Sequence, residues 1–100
     1  MPQAAESLRA EMLPMTSFVD EGRTRSLSEP LVLQISIEDG AYFVENEPLH
    51  LFAKGASLEE AVEAFAVDLA YYWRYYNSLR HDEVAGAGLE LKRIYERLVH

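Results

Sequence analysis

Residues 31–70, LVLQISIEDGAYFVENEPLHLFAKGASLEEAVEAFAVDLA, decide the fold. Over residues 31–37, Leu31, Leu33, Ile35 and Ile37 alternate with Val32, Gln34 and Ser36. That is the period of a strand buried on one face. Asp39-Gly40 supplies the left-handed backbone a tight hairpin needs. Residues 41–45, AYFVE, are aromatic and β-branched and make a second strand. Asn46-Glu47-Pro48 marks the next turn. Residues 49–54 then alternate again, with Leu49, Leu51 and Ala53 on one side and His50 and Phe52 on the other. Strands joined by short turns predict a three-stranded antiparallel β-meander with one covered face and one wet face. Gly55 ends the sheet. Ser57-Leu58-Glu59-Glu60 reads as a capping box, the Ser57 hydroxyl accepting from a backbone N–H and Glu60 reaching back to that of Ser57. A long helix follows over residues 58–76, with Leu58, Val62, Phe65, Leu69, Tyr72 or Trp73, and Tyr76 toward the sheet. At 1.5 Å per residue it spans about 28 Å, so its C-terminal part overhangs strands of five or six residues.

Beyond this stretch, residues 77–81 turn the chain. A second helix from Leu89 presents Leu91, Ile94, Tyr95 and Leu98, and pairs with the first as a helical hairpin. On the N-terminal side, residues 6–13 suggest two helical turns before Pro14. Residues 20–29, DEGRTRSLSE, mix both charges and offer little to bury. Residues 1–29 therefore read as a flexible arm, whose removal (residues 1–28) should leave the melting temperature nearly unchanged. The expected organisation is that arm plus a single β-β-β-α-α domain over residues 30–100. The fold class is α+β: the three-stranded meander packed on a long α-helix, plus a C-terminal helix.

Composition narrows the function. The 100 residues are 49% apolar and carry 9 Lys+Arg against 17 Asp+Glu, a net charge of −8. Residues 31–70 hold one basic and eight acidic side chains, a local charge of −7. This argues against direct binding to nucleic acid or anionic lipid and favours a basic protein partner. There is no cysteine, which excludes disulfides and thiolate metal sites. A basic-headed leader and a run of about 20 apolar residues are both missing, so a cytoplasmic protein without a membrane span is expected.

Catalytic motifs are weak. His50, His81 and His100 show no metal-ligand spacing. Glu38-Asp39 sits at a turn, Glu59-Glu60 at a helix cap, and Glu45 and Glu47 flank Asn46; none promises the apolar pocket a catalytic acid needs. The serines lack a nucleophile-elbow context, and Gly86-Ala87-Gly88 lacks phosphate-loop spacing. A non-enzymatic chain without metal or cofactor is the expectation. The run Tyr71, Tyr72, Trp73, Tyr75, Tyr76 stands apart, because rings spread around a helix cannot all face one sheet. Tyr and Trp are enriched at interface hot spots. Val67, Tyr71, Trp73 and Tyr75 are therefore candidates for self-association into a dimer or higher homo-oligomer. Glu38, Asp39, Glu45 and Glu47 are candidates for binding a basic partner.

Residues 42–70, YFVENEPLHLFAKGASLEEAVEAFAVDLA, resemble the HicB-like antitoxin group. The likeness lies in an aromatic second strand, a third strand ending in Gly55, and the run Gly55-x-Ser57-Leu58-Glu59-Glu60-Ala61 that opens the long helix. It implies a partial RNase H-like fold without nuclease activity, oligomerisation, and neutralisation of a small basic RNA-cleaving toxin. Two features depart from the group. Only Asn46-Glu47-Pro48 stands where it has a Pro- and Gly-rich segment, and residues 89–99 offer one helix in place of a DNA-binding unit. The favoured expectation is an acidic interaction module of a toxin–antitoxin system. The alternatives are a small-molecule-binding or enzymatic domain using the Tyr-rich helix and His50, and a purely structural homo-oligomer.

Overall fold

The computed structural model describes residues 11–99. Four antiparallel strands run in chain order, β1 (Glu11–Asp20), β2 (Arg23–Glu38), β3 (Ala41–Asn46) and β4 (Leu51–Gly55). Two helices follow, α1 (Leu58–Ser78) and α2 (Ala87–Glu96), with a 3₁₀ turn at His81–Glu83 between them. The α+β class holds, but the sheet has four strands rather than three. The additional strand, β1, and the first half of β2 occupy residues 11–29, which the polar composition had assigned to an arm. Residues 1–10 of that arm, with most of its suggested helix, lie outside the described residues.

The unexpected hairpin forms because Glu21 and Gly22 both take positive φ (51° and 80°), as Asp39 and Gly40 do at the next turn (51° and 78°). This is the backbone of a two-residue hairpin turn matched to strand twist. A register shift between Met15 and Ser17 divides the β1–β2 ladder in two. One part pairs residues 11–15 with 31–35 over the main core, and the other pairs Ser17–Asp20 with Arg23–Ser26 beyond it. The long β2 makes the molecule elongated, 54 × 31 × 20 Å, with a radius of gyration of 15.1 Å against about 13 Å for a compact chain of this length.

The inward alternation holds. Leu33, Ile35, Val44, Leu51 and Ala53 are buried beneath Ala61, Phe65 and Leu69 of α1. Buried Asn46 fixes the β3–β4 turn, its Nδ2 donating to the Val32 carbonyl and its Oδ1 accepting from the Leu49 N–H, both at 3.0 Å. The Ser57 hydroxyl accepts from the Glu60 N–H at 3.2 Å, as capping requires. Glu60 reaches back to the N–H of Ala56 rather than that of Ser57.

At 21 residues, α1 does overhang β4. The outer part of the β1–β2 hairpin covers the overhang. Phe18 meets Trp73 edge-on at 5.7 Å between centroids, and the Arg25 guanidinium lies 5.1 Å above the same indole. Buried Asp20 accepts from Arg74 Nε at 3.1 Å and from its Nη2 at 2.5 Å. On the other flank, Tyr95 of α2 is fully buried and stacks on Tyr76 at 5.2 Å. The chain end returns to β2, where the Ser28 N–H donates to the Leu98 carbonyl at 2.8 Å and Leu27 bridges Val99.

The buried Lys92 ties α2 to the end of α1. Its Nζ donates to the Tyr76 carbonyl and to Glu96 Oε2, both at 2.9 Å, while His81 Nε2 lies 3.0 Å from the same carboxylate oxygen. Hydrogen bonds from Lys92 first and His81 second hold the Glu96 carboxyl below its ordinary range. A carboxyl depressed in the folded state stabilises at pH above the unfolded value, and that gain is lost as pH falls through the folded value. Glu96→Gln should therefore melt below wild type at neutral pH. The difference should begin to shrink as acid takes the pH below the ordinary glutamate value, about 4.3, and vanish below the depressed folded one. Melting curves that stay parallel across this range would contradict the network.

Candidate functional site

Three surface features are candidates to carry function. The first is a ridge on α1. Val67, Tyr71 and Tyr75, spaced four apart on one helix face, are 63%, 57% and 45% exposed. The Tyr71 and Tyr75 rings stack parallel at 6.4 Å, and Tyr72 meets Tyr71 edge-on at 5.0 Å. Trp73 does not share this ridge. Half a turn away, it packs against Phe18 and beneath Arg25, within the chain's own core layer. Of the four residues proposed for self-association, the structure thus groups Val67, Tyr71 and Tyr75 and draws Trp73 inward. The hairpin that claims Trp73 carries no simple apolar alternation, so the sequence shows no partner for the indole.

The second feature is the outer face of the sheet. Phe43 and Phe52 stack across β3 and β4 at 5.6 Å and 23°. With Ser36, Ile37, Glu38 and Glu45 they line a depression of about 380 Å³. The four acidic partner-binding candidates divide here. Glu38 and Glu45 line the depression, and Asp39 occupies the hairpin tip beside Glu38. Glu47 belongs to the turn at the opposite end of β3. Among the described residues, none of the eight carboxylates between positions 31 and 70 forms an ion pair. The acidic stretch is thus neutralised little from within.

The third is a cleft of about 190 Å³ where His50, Tyr72, Tyr76 and Tyr95 meet Leu49, Leu51 and Leu91. This is where the His50–tyrosine alternative would operate. Burial raises the Tyr95 phenol well above its ordinary value, and its hydroxyl has no hydrogen-bond partner. The cleft is smaller than the roughly 300–1,000 Å³ of pockets that enclose a ligand. His50 is exposed, and no carboxylate lines the cleft to activate it. Among the described residues, no three His, Asp or Glu side chains gather as a metal site, and no helix is long and apolar enough to cross a membrane. His81 serves the Glu96 network, and His100 lies outside the described residues.

No family model, characterised protein or solved structure that was compared with the chain matches it.

Proposed function

We propose that the protein is a non-catalytic acidic interaction module of the HicB-like antitoxin type, self-associating through α1 and binding a small basic protein. The observation that carries this reading is the Val67–Tyr71–Tyr75 ridge, a run of large apolar side chains left uncovered although Trp73 and Tyr76 are sheltered by Phe18 and Tyr95. Tyr rings give broad contact area at little entropic cost and fit the core of an interface. The carboxylates of residues 31–70, without ion pairs among the described residues, support the second half of the proposal, since a field of one sign steers a partner of the other. A meander whose last strand ends in glycine and leads into a capped helix also suits the resemblance.

Two measurements test the two halves. Tyr71→Glu with Tyr75→Glu should lower the mass seen by light scattering to that of a single chain, with the far-ultraviolet spectrum preserved because both rings are exposed. An unchanged mass counts against the ridge as the self-contact. For the partner, the tagged chain co-expressed with the product of its neighbouring gene should form a stable complex with a small basic protein, one that weakens as salt rises. Recovery of the tagged chain alone counts against the antitoxin reading.

A further inference from the structure

We propose that the depression on the outer sheet face is a docking slot for an arginine side chain of the basic partner, its guanidinium lying on the Phe43–Phe52 stack between Glu38 and Glu45. The inference rests on the reading that the partner is a basic protein, and it names where and how that partner is held.

The wet face of an antiparallel sheet is normally polar. Here Phe52 is 58% exposed and stacks on Phe43, a diagonal neighbour fixed by the pairs Glu45↔Phe52 and Phe43↔Lys54. These rings do not serve the core, which lies on the opposite face under α1. The register also sets the acids. Glu45 stands directly across from Phe52, and Glu38 follows Ser36, which stands across from Phe43. An aromatic pair is thus bordered by two carboxylates, neither in an ion pair among the described residues. Lys54, opposite Phe43, pairs with neither.

Arginine suits this arrangement better than lysine. The guanidinium is planar and weakly hydrated, stacks on rings, and presents a fork of donors to a carboxylate. Lysine offers a compact, strongly hydrated charge with no flat face. The charge of −7 over residues 31–70 adds attraction at longer range.

The test titrates the isotope-labelled full chain with a capped nonapeptide holding three arginines among Gly and Ser. Matched peptides carry lysine, or the uncharged arginine isostere citrulline. Shifted amides should cluster at residues 36–38, 43–45 and 52, with arginine binding several-fold tighter than lysine and citrulline not binding. Phe52→Ala and Glu45→Gln should each weaken the arginine peptide about tenfold while the melting temperature stays near wild type, because both side chains are exposed. Equal binding by Phe52→Ala, equal binding of lysine and arginine, or shifts confined to the acids of α1 would each overturn the slot. So would a drop in the mass of the free chain on Phe52→Ala, which would make this face a contact between copies. Slot and antitoxin reading can fail separately. Peptide binding at the slot with no basic protein recovered sinks only the latter. A partner complex untouched by Phe52→Ala sinks only the former.

Discussion

Deleting residues 1–28 should abolish cooperative unfolding, and Phe18→Ala alone should cost about 3–5 kcal/mol. The deletion takes away β1 and the first part of β2. With them go the buried Phe18 and Leu27, the Asp20 carboxylate that receives Arg74, and the Ser28–Leu98 and Leu27–Val99 ties to the chain end. Losing a buried Phe and a buried Leu approaches the whole stability of a domain this size, about 5–15 kcal/mol. Trp73 would lose the ring it packs on, and β2 would become a bare sheet edge. For Phe18→Ala, each kcal/mol lowers the melting temperature by about 4–8 °C. Thermal unfolding followed by circular dichroism reads both variants. The result is the opposite of what the polar composition of residues 20–29 suggests, and an unshifted melting point would mean that the hairpin carries no load.

That reversal shows where local pattern stops being informative. Residues 31–37 and 49–53 were legible because their inward positions are all apolar, so period alone reveals the face. The outer hairpin hides because its inward positions are Phe18, Asp20, Arg25 and Leu27, and two of those four are charged. Asp20 is tolerable inside because Arg74, 54 residues away, and Arg25, 3.7 Å from it across the hairpin, supply the counter-charge. Its turn, Glu21-Gly22, also lacks the Asn or Asp that usually advertises such a bend. The Val67–Tyr71–Tyr75 ridge was readable, since spacing by four is enough to align residues on a helix. The Phe43–Phe52–Glu38–Glu45 grouping was not. Parity puts these side chains on one face, but only the strand register brings Glu45 opposite Phe52 and the rings together. The overhang of α1 follows from its length, but the outer hairpin and Tyr95 of the same chain cover its Trp73 and Tyr76 flanks. The most exposed large side chains of α1 are therefore Val67, Tyr71 and Tyr75, a narrower stripe than the full aromatic run.

Gly55→Ala should destabilise by about 1–3 kcal/mol, and Gly55→Val by more. The reason is space rather than backbone conformation, because Gly55 is not among the positive-φ glycines. A Cβ there would stand 2.6 Å from the Ala61 nitrogen, 2.8 Å from the Glu60 Cβ and 2.9 Å from the Glu60 carbonyl carbon. Two of these atoms are helix backbone, which cannot swing aside as a side chain can. The first turn of α1 must lift off the end of β4, loosening the fully buried Ala61 and Phe65. The same contact gives a structural reason for the run from Gly55 to Ala61. Gly55 clears the crossing, Ser57 caps the helix, Glu60 holds the Ala56 N–H, and Ala61 lies buried in the first turn. Melting curves separate these roles. Ser57→Ala should cost about 1 kcal/mol, as lost caps do, and less than Gly55→Val. Ala61→Gly should not rescue Gly55→Ala, because the nearest obstruction is the nitrogen at position 61 and not its methyl group. The double variant should instead be worse by the cost of a glycine within a helix, about 1 kcal/mol. Rescue by Ala61→Gly would show that the helix shifts to relieve the methyl and that the strand-to-helix crossing is not limited by backbone contact.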